Sequence, residues 1–279
     1  MMEQIKFINH LNEVMEWGKN GIYVNYNNLH DYSWNFTSNN SRISSFSKGI
    51  VKKTIPLIIC CESKEHGIEL RNRLLEIAEK DILAREHGKI VIGDYYLKCF
   101  ITGSKKEEYL IDKGYMVVSL TIATDYPQWV KESETCFRIS MNTSTGEEDA
   151  KHNFDYSYDF AHDYTSEMHG KLLMNTGFVG TNFRLIIHGA AINPKIYIAG
   201  HLYEVTCNFL KNEYLTIDSM AKTIVLTKSD GTKVNLFNKR NRESYVFEKI
   251  QPGENSIIWD GDFGFDVILL EERSEPKWT

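Results

Sequence analysis

Between residues 64 and 84 the apolar positions Leu70, Leu74, Ile77, Ala78 and Ile82 recur three and four apart, while Glu and Arg fill the opposite face. That period predicts one amphipathic helix, with Ser63 placed as its N-cap. Before it, "GIYVNYNNL" and "SWNFTS" are short β-rich runs. "KKTIPLIICC" is an apolar strand starting at two lysines, with Pro56 pointing to an edge position. After it, "GKIVIGDYYLKCFITG" is two apolar runs around Gly93-Asp94, a two-residue hairpin turn. "GYMVVSLTIATDYPQWV" then reads as a long strand that ends at Pro127.

The polar stretch "KESETCFRISMNTSTGEEDAKHN" breaks this pattern and predicts a linker over about residues 131–153. Beyond it, turns recur every eight to twelve residues and strict alternation assigns faces. Tyr203, Val205, Cys207 and Phe209 point one way, and Glu204, Thr206 and Asn208 the other; Phe183, Leu185 and Ile187 repeat the arrangement. "AKTIVLTKSDGTKVNLF" is a hairpin turning at Asp230-Gly231. The expected fold is mainly β with one principal helix, in two domains, 1–134 and 135–279, the second an antiparallel β-sandwich.

The length of 279 residues suits two domains, and 42% apolar with 25% charged residues is an ordinary globular balance. A net charge of −6, with no strongly basic half, argues against binding to phosphate backbones. The five cysteines lack C-x-x-C spacing and read as small core residues of a protein folded in a reducing compartment. The first residues lack the apolar run of a signal peptide and no stretch approaches 18 apolar residues, so neither export nor membrane insertion is expected.

Candidate chemistry is sparse. In "WDGDFGFDVILLEE", Asp260, Asp262 and Glu271 hold the first, third and twelfth positions of an EF-hand loop, but Phe265 stands where the turn glycine belongs. A strand with Phe263, Phe265, Val267 and Leu269 facing a core fits better. It sets Asp262 about 13 Å from Asp266, too far to share an ion. "HNFDYSYDFAHDY" aligns Tyr156 and Tyr158 beside carboxylates, either as a glycan platform or as an edge strand covering the core. His188 and His201 lie on strands, where a hydrogen-bonded role is expected. No metalloprotease, nucleophile-elbow, P-loop or dinucleotide motif occurs. Glu271 and Glu272 are adjacent at a strand end and so point apart, which is no pair for glycoside hydrolysis. The reading is therefore no enzyme, no cofactor and no metal.

The order of these segments, carried by "NYNNLHDYSWNF", "ELRNRLLEIAEKD", "GKIVIGDYYLKCFITGS", "TIATDYPQW" and "NTGFVGTNFRLIIHGAAINPKIYIAG", resembles the distal tail proteins of phages with long, non-contractile tails. The resemblance implies an N-terminal belt domain, β-barrel-like with a helix and a hairpin, and a C-terminal galectin-like sandwich. Six copies would form a ring joining the tail tube to the tail tip or baseplate. Partners would be the tube protein, a tail-tip or tail-lysin protein and receptor-binding proteins, within the virion tail and without sequence-specific nucleic-acid binding. The hairpin residues Ile90, Ile92, Gly93, Asp94, Tyr95 and Tyr96 are the expected ring contact. A carbohydrate-binding module acting through Tyr156 and Tyr158 is the alternative.

Overall fold

A computed structural model describes residues 4–110, 115–139 and 171–278. The chain forms two units, Met1–Glu132 with Glu272–Thr279, and Ser133–Glu271. The protein is mostly β with one principal helix.

In the first unit the chain runs β1 (Ile5–Ile8), β2 (Val14–Trp17), β3 (Ile22–Val24), β4 (Asn35–Asn39), β5 (Arg42–Ser47), β6 (Val51–Cys60), α1 (Lys64–Ala84), β7 (Gly88–Ile92), β8 (Tyr95–Leu110), β9 (Tyr115–Thr124) and β10 (Trp129–Phe137). Antiparallel pairing links them in the order β3-β6-β9-β8-β7-β1-β2. Alternation explains which residues fill the core: β9 buries Met116, Val118, Leu120 and Ile122, and β6 buries Ile55, Leu57 and Ile59. Strand β6 is not the edge expected from Pro56, since β9 pairs along its whole length and β3 along Leu57–Ile59. Pro56, which has no N–H to donate, lies where the β3 pairing ends, and its carbonyl accepts from the Asn25 N–H at 2.9 Å.

Both lysines read as the start of that strand lie inside it, since β6 begins at Val51. Lys53 takes a core-facing position in the 53, 55, 57, 59 series. Its ammonium donates to the carbonyls of Asn28, Leu29 and Asp31, which ties the loop before β4 to the strand. Three acceptors offset the cost of a buried charge, and desolvation still pushes its pKa down.

Helix α1 starts where expected, with the Ser63 hydroxyl accepting from the His66 N–H at 3.2 Å. It buries Leu70, Leu74, Ile77 and Ala78, but Ile82 is 43% exposed. The inward phase 70, 74, 77 continues at Asp81, which is fully buried. Its Oδ1 accepts from the His10 backbone N–H at 2.9 Å and lies 2.6 Å from His10 Nδ1. Gly88 completes this corner, since a Cβ there would stand 2.5 Å from the Phe7 ring and 2.3 Å from Asp81 Oδ2.

The second unit takes the end of β10, then β11 (Lys171–Asn175), β12 (Asn182–His188), β13 (Ala191–Ile192), β14 (Lys195–Ile198), β15 (His201–Glu204), β16 (Asn208–Phe209), β17 (Tyr214–Asp218), β18 (Thr223–Thr227), β19 (Lys233–Asn235), β20 (Gly253–Ile258) and β21 (Phe265–Arg273). Strands β19-β18-β17-β12-β21 form one antiparallel series and β11-β20-β14-β15 another. Side chains of both meet in one core containing Leu173, Phe183, Leu185, Ile187, Ile196, Tyr203, Val205, Leu215, Phe265 and Val267. The faces assigned from alternation hold for 203, 205 and 209, while Cys207 is half-buried.

Residues 131–137, expected to open a linker, are strand. Residues 131–136 are exposed or half-buried on both faces, and Phe137 is buried against Phe265 with ring centroids 4.8 Å apart.

Candidate functional site

The stretch from Trp259 to Glu272 contains a core strand, but it begins at Phe265, leaving Phe263 in the bend before it, and it buries Ile268 and Leu270 besides the expected face. Phe263, Phe265, Val267 and Leu269 are buried, and Asp260 and Asp262 face solvent. Trp259 is half-buried, its indole N–H donating to the Phe263 carbonyl at 3.0 Å, with Lys171 Nζ 3.9 Å over the ring. The three EF-hand positions do not form a donor group.

A different donor group forms beside it. Phe137, Phe265 and Ile187 point into the core from β10, β21 and β12, which are hydrogen-bonded neighbours. Alternation therefore turns Cys136, Asp266 and His188 outward on the same three strands, and Glu134 joins Cys136 two residues away on its face. One donor atom each from Glu134, Cys136 and Asp266 lies within 4.8 Å of the other two. Cys136 Sγ is 3.8 Å from Glu134 Oε1, and His188 Nε2 is 2.7 Å from Asp266 Oδ2. A hydrogen bond to Asp266, then desolvation, then the proximity of both carboxylates pushes the Cys136 thiol up.

No motif spacing announces this cluster, because its members are spread from 134 to 266. The expectation that every cysteine is a core residue holds for Cys61 and Cys99 and fails for Cys60 and Cys136, which are exposed. An alternating strand puts a cysteine on either face with equal ease, so cysteine's average preference for burial does not decide an individual case.

The expected ring hairpin, β7–β8, forms with the register Ile92↔Tyr95 around Gly93-Asp94. However, Ile90, Ile92 and Tyr95 are buried in their own core, and β7 is paired on both sides, to β8 and β1. These three cannot serve a neighbour without opening that core. Gly93 and Asp94 remain exposed at the turn, with Asp94 2.8 Å from Lys131 Nζ, and the Tyr96 hydroxyl donates to Glu132 at 2.8 Å. Tyr156 and Tyr158 lie outside the described residues.

The hairpin that does stand free is β4–β5. It pairs only with itself, turns at Asn40-Ser41 with both φ positive, and has every residue exposed, including Phe36, Ile43 and Phe46 at 55–61%. Its base is held by Lys48, whose ammonium lies 4.5 Å over the Trp34 ring and donates to Gln128 Oε1 and Ser274 Oγ. A second apolar surface of this unit is a groove of about 500 Å³ beside α1. Ile68, Leu75 and Ile82, seven residues apart, face Ile101, Met116 and Leu120 across it.

Among the described residues no catalytic set is indicated, and no helix is long and apolar enough to cross a membrane. No family model and no curated protein matches the chain. Solved structures do. A chain in the phage P2 baseplate in its activated conformation with calcium matches with TM-score 0.65 and 15% identity, over 99% of this chain and 100% of that one. The same baseplate with strontium gives 0.64 at 15% identity, over 99% and 100%. The Dit protein of SPP1, described as a paradigm of the hub adsorption apparatus in phages infecting Gram-positive bacteria, gives 0.57 at 9% identity, over 96% and 99%. At these identities the shared property is the fold.

Proposed function

We propose that this protein is a structural component of a phage tail, a distal tail protein whose six copies close into a ring between the tail tube and the tail tip or baseplate. The observation that carries the reading is the extent of the fold match: 96–99% of the chain is accounted for by baseplate and Dit chains, themselves covered end to end. In this reading the first unit forms the ring and the second is galectin-like and projects outward. The tube protein, a tail-lysin and receptor-binding proteins dock on the assembly in the virion.

The ring contact uses β4–β5. A two-stranded hairpin is at best marginally stable in water by itself, and this one exposes three large apolar side chains that a neighbouring copy would cover. The turn at Gly93-Asp94 and Tyr96 adds a polar contact. A heterologous interface of this kind closes into a ring when its rotation fits.

Negative-stain electron microscopy of the purified protein, alone and with its tube protein, tests the reading. Six-fold rings with a central hole support it, and Phe36→Ser with Phe46→Ser should abolish them while the monomer stays folded. A monomer that forms no ring under either condition overturns it.

A further inference from the structure

The outward face of β10, β21 and β12 brings together a thiol, an imidazole and two carboxylates from positions far apart in the chain. We propose that Glu134, Cys136, Asp266 and His188 bind one divalent transition-metal cation, zinc by the chemistry of the donors. Three of the four donors stand beside a residue locked in the core: Phe137 after Cys136, Phe265 before Asp266, Ile187 before His188; Glu134, two residues before Cys136, has no buried neighbour. The backbone at Cys136, Asp266 and His188 is thus fixed by packing, and there only side-chain ends must move to close on an ion.

The spacing agrees with tetrahedral coordination. Ligand atoms about 2.0–2.3 Å from zinc at tetrahedral angles lie roughly 3.3–3.8 Å from one another. The Cys136 Sγ to Glu134 Oε1 separation of 3.8 Å is within that range, and the three-donor group within 4.8 Å needs a contraction of about 1 Å. His188 lies outside that three-donor group and touches it through Asp266, so its ring must swing toward the thiol to become the fourth ligand. Its 2.7 Å contact with Asp266 would open as both atoms turn onto the cation, and the half-exposed ring has room to turn.

The donor set also selects the ion. A thiolate and an imidazole favour zinc, cobalt or copper over calcium and magnesium, which take oxygen ligands. The site would clasp three neighbouring strands on the solvent side of the sheet, opposite the Phe137–Phe265 stack. It does not depend on the assembly proposed above.

The test uses the full chain, reduced and freed of metal by chelation, titrated with cobalt(II) as a spectroscopic substitute for zinc. Expected are saturation at one cobalt per chain, a thiolate-to-cobalt charge-transfer band, and displacement of the cobalt by one equivalent of zinc but not by excess calcium. Cys136→Ser should remove the band, and His188→Ala and Asp266→Asn should each weaken binding at least tenfold. Cys136 and His188 are exposed and Asp266 is partly buried, so the metal-free melting temperature reports whether a variant is folded, and Glu134→Gln replaces any that is not. Absence of the thiolate band, its persistence in Cys136→Ser, or calcium competing on equal terms would overturn the proposal.

Discussion

The hydroxyl of Tyr126 donates to the carboxylate of Glu272 at 2.5 Å, joining the "TDYPQW" segment to the chain's return from β21 across 146 positions of sequence. The same returning segment places Ser274 against Lys48 and stacks Trp278 on His30 at 4.0 Å. A hydrogen bond to a part-buried carboxylate typically contributes about 1.5–3 kcal/mol. Tyr126→Phe should therefore destabilise the first unit by about that amount in urea unfolding, and Trp278→Ala should add to the loss.

Leu74 and Leu75 are neighbours in sequence with opposite environments, 6% and 53% exposed. Leu74→Ala should cost about 2–5 kcal/mol, whereas Leu75→Ala should stay within about 0.5 kcal/mol. Equal effects in chemical denaturation would mean that the helix packs through a different face.

The Cys99 thiol is fully buried, and desolvation pushes its pKa up from 9.0 to about 12. In the unfolded chain the thiol ionises near its ordinary value, while in the folded chain it stays protonated. The native state therefore holds the extra proton, and its contribution is intact below pH 9.0 and lost as pH rises toward about 12. Cys99→Ala should flatten the decline of stability between pH 9 and 10.5 by up to about 1.4 kcal/mol per pH unit, measured as the difference in denaturation midpoints from the parent chain.

Phe265 touches Phe137, Trp259 and Phe263 in the centre of the second unit. Phe265→Ala should cost about 3–5 kcal/mol there. Gly88→Ala tests the other core by overpacking: the added methyl meets Phe7 and Asp81, and a loss of about 1–3 kcal/mol is expected from thermal melts.

The sequence shows what local physics controls. Alternation found the core faces of β12 and of the 203–209 stretch, Ser63 marked the helix start, and Gly93-Asp94 marked its hairpin. Long-range compensation was hidden. Asp81 occupies the inward phase that Ile82 was expected to share, because a carboxylate is acceptable there only with His10, 71 positions away, beside it. Lys53 is inside for the same reason, its acceptors coming from a separate loop. The β7–β8 hairpin was recognisable as a hairpin but not as a buried one, since its neighbour β1 lies more than 80 residues earlier. The Cys136 cluster is the extreme case, for its parts are adjacent only after three strands pair.

The chain enters the second unit once, through β10, and leaves it once, through β21, to finish in the first. The two units are therefore joined by two covalent tethers. A protease that cuts one tether leaves the other intact, and any tension passed from one unit to the other is shared between two strands of backbone.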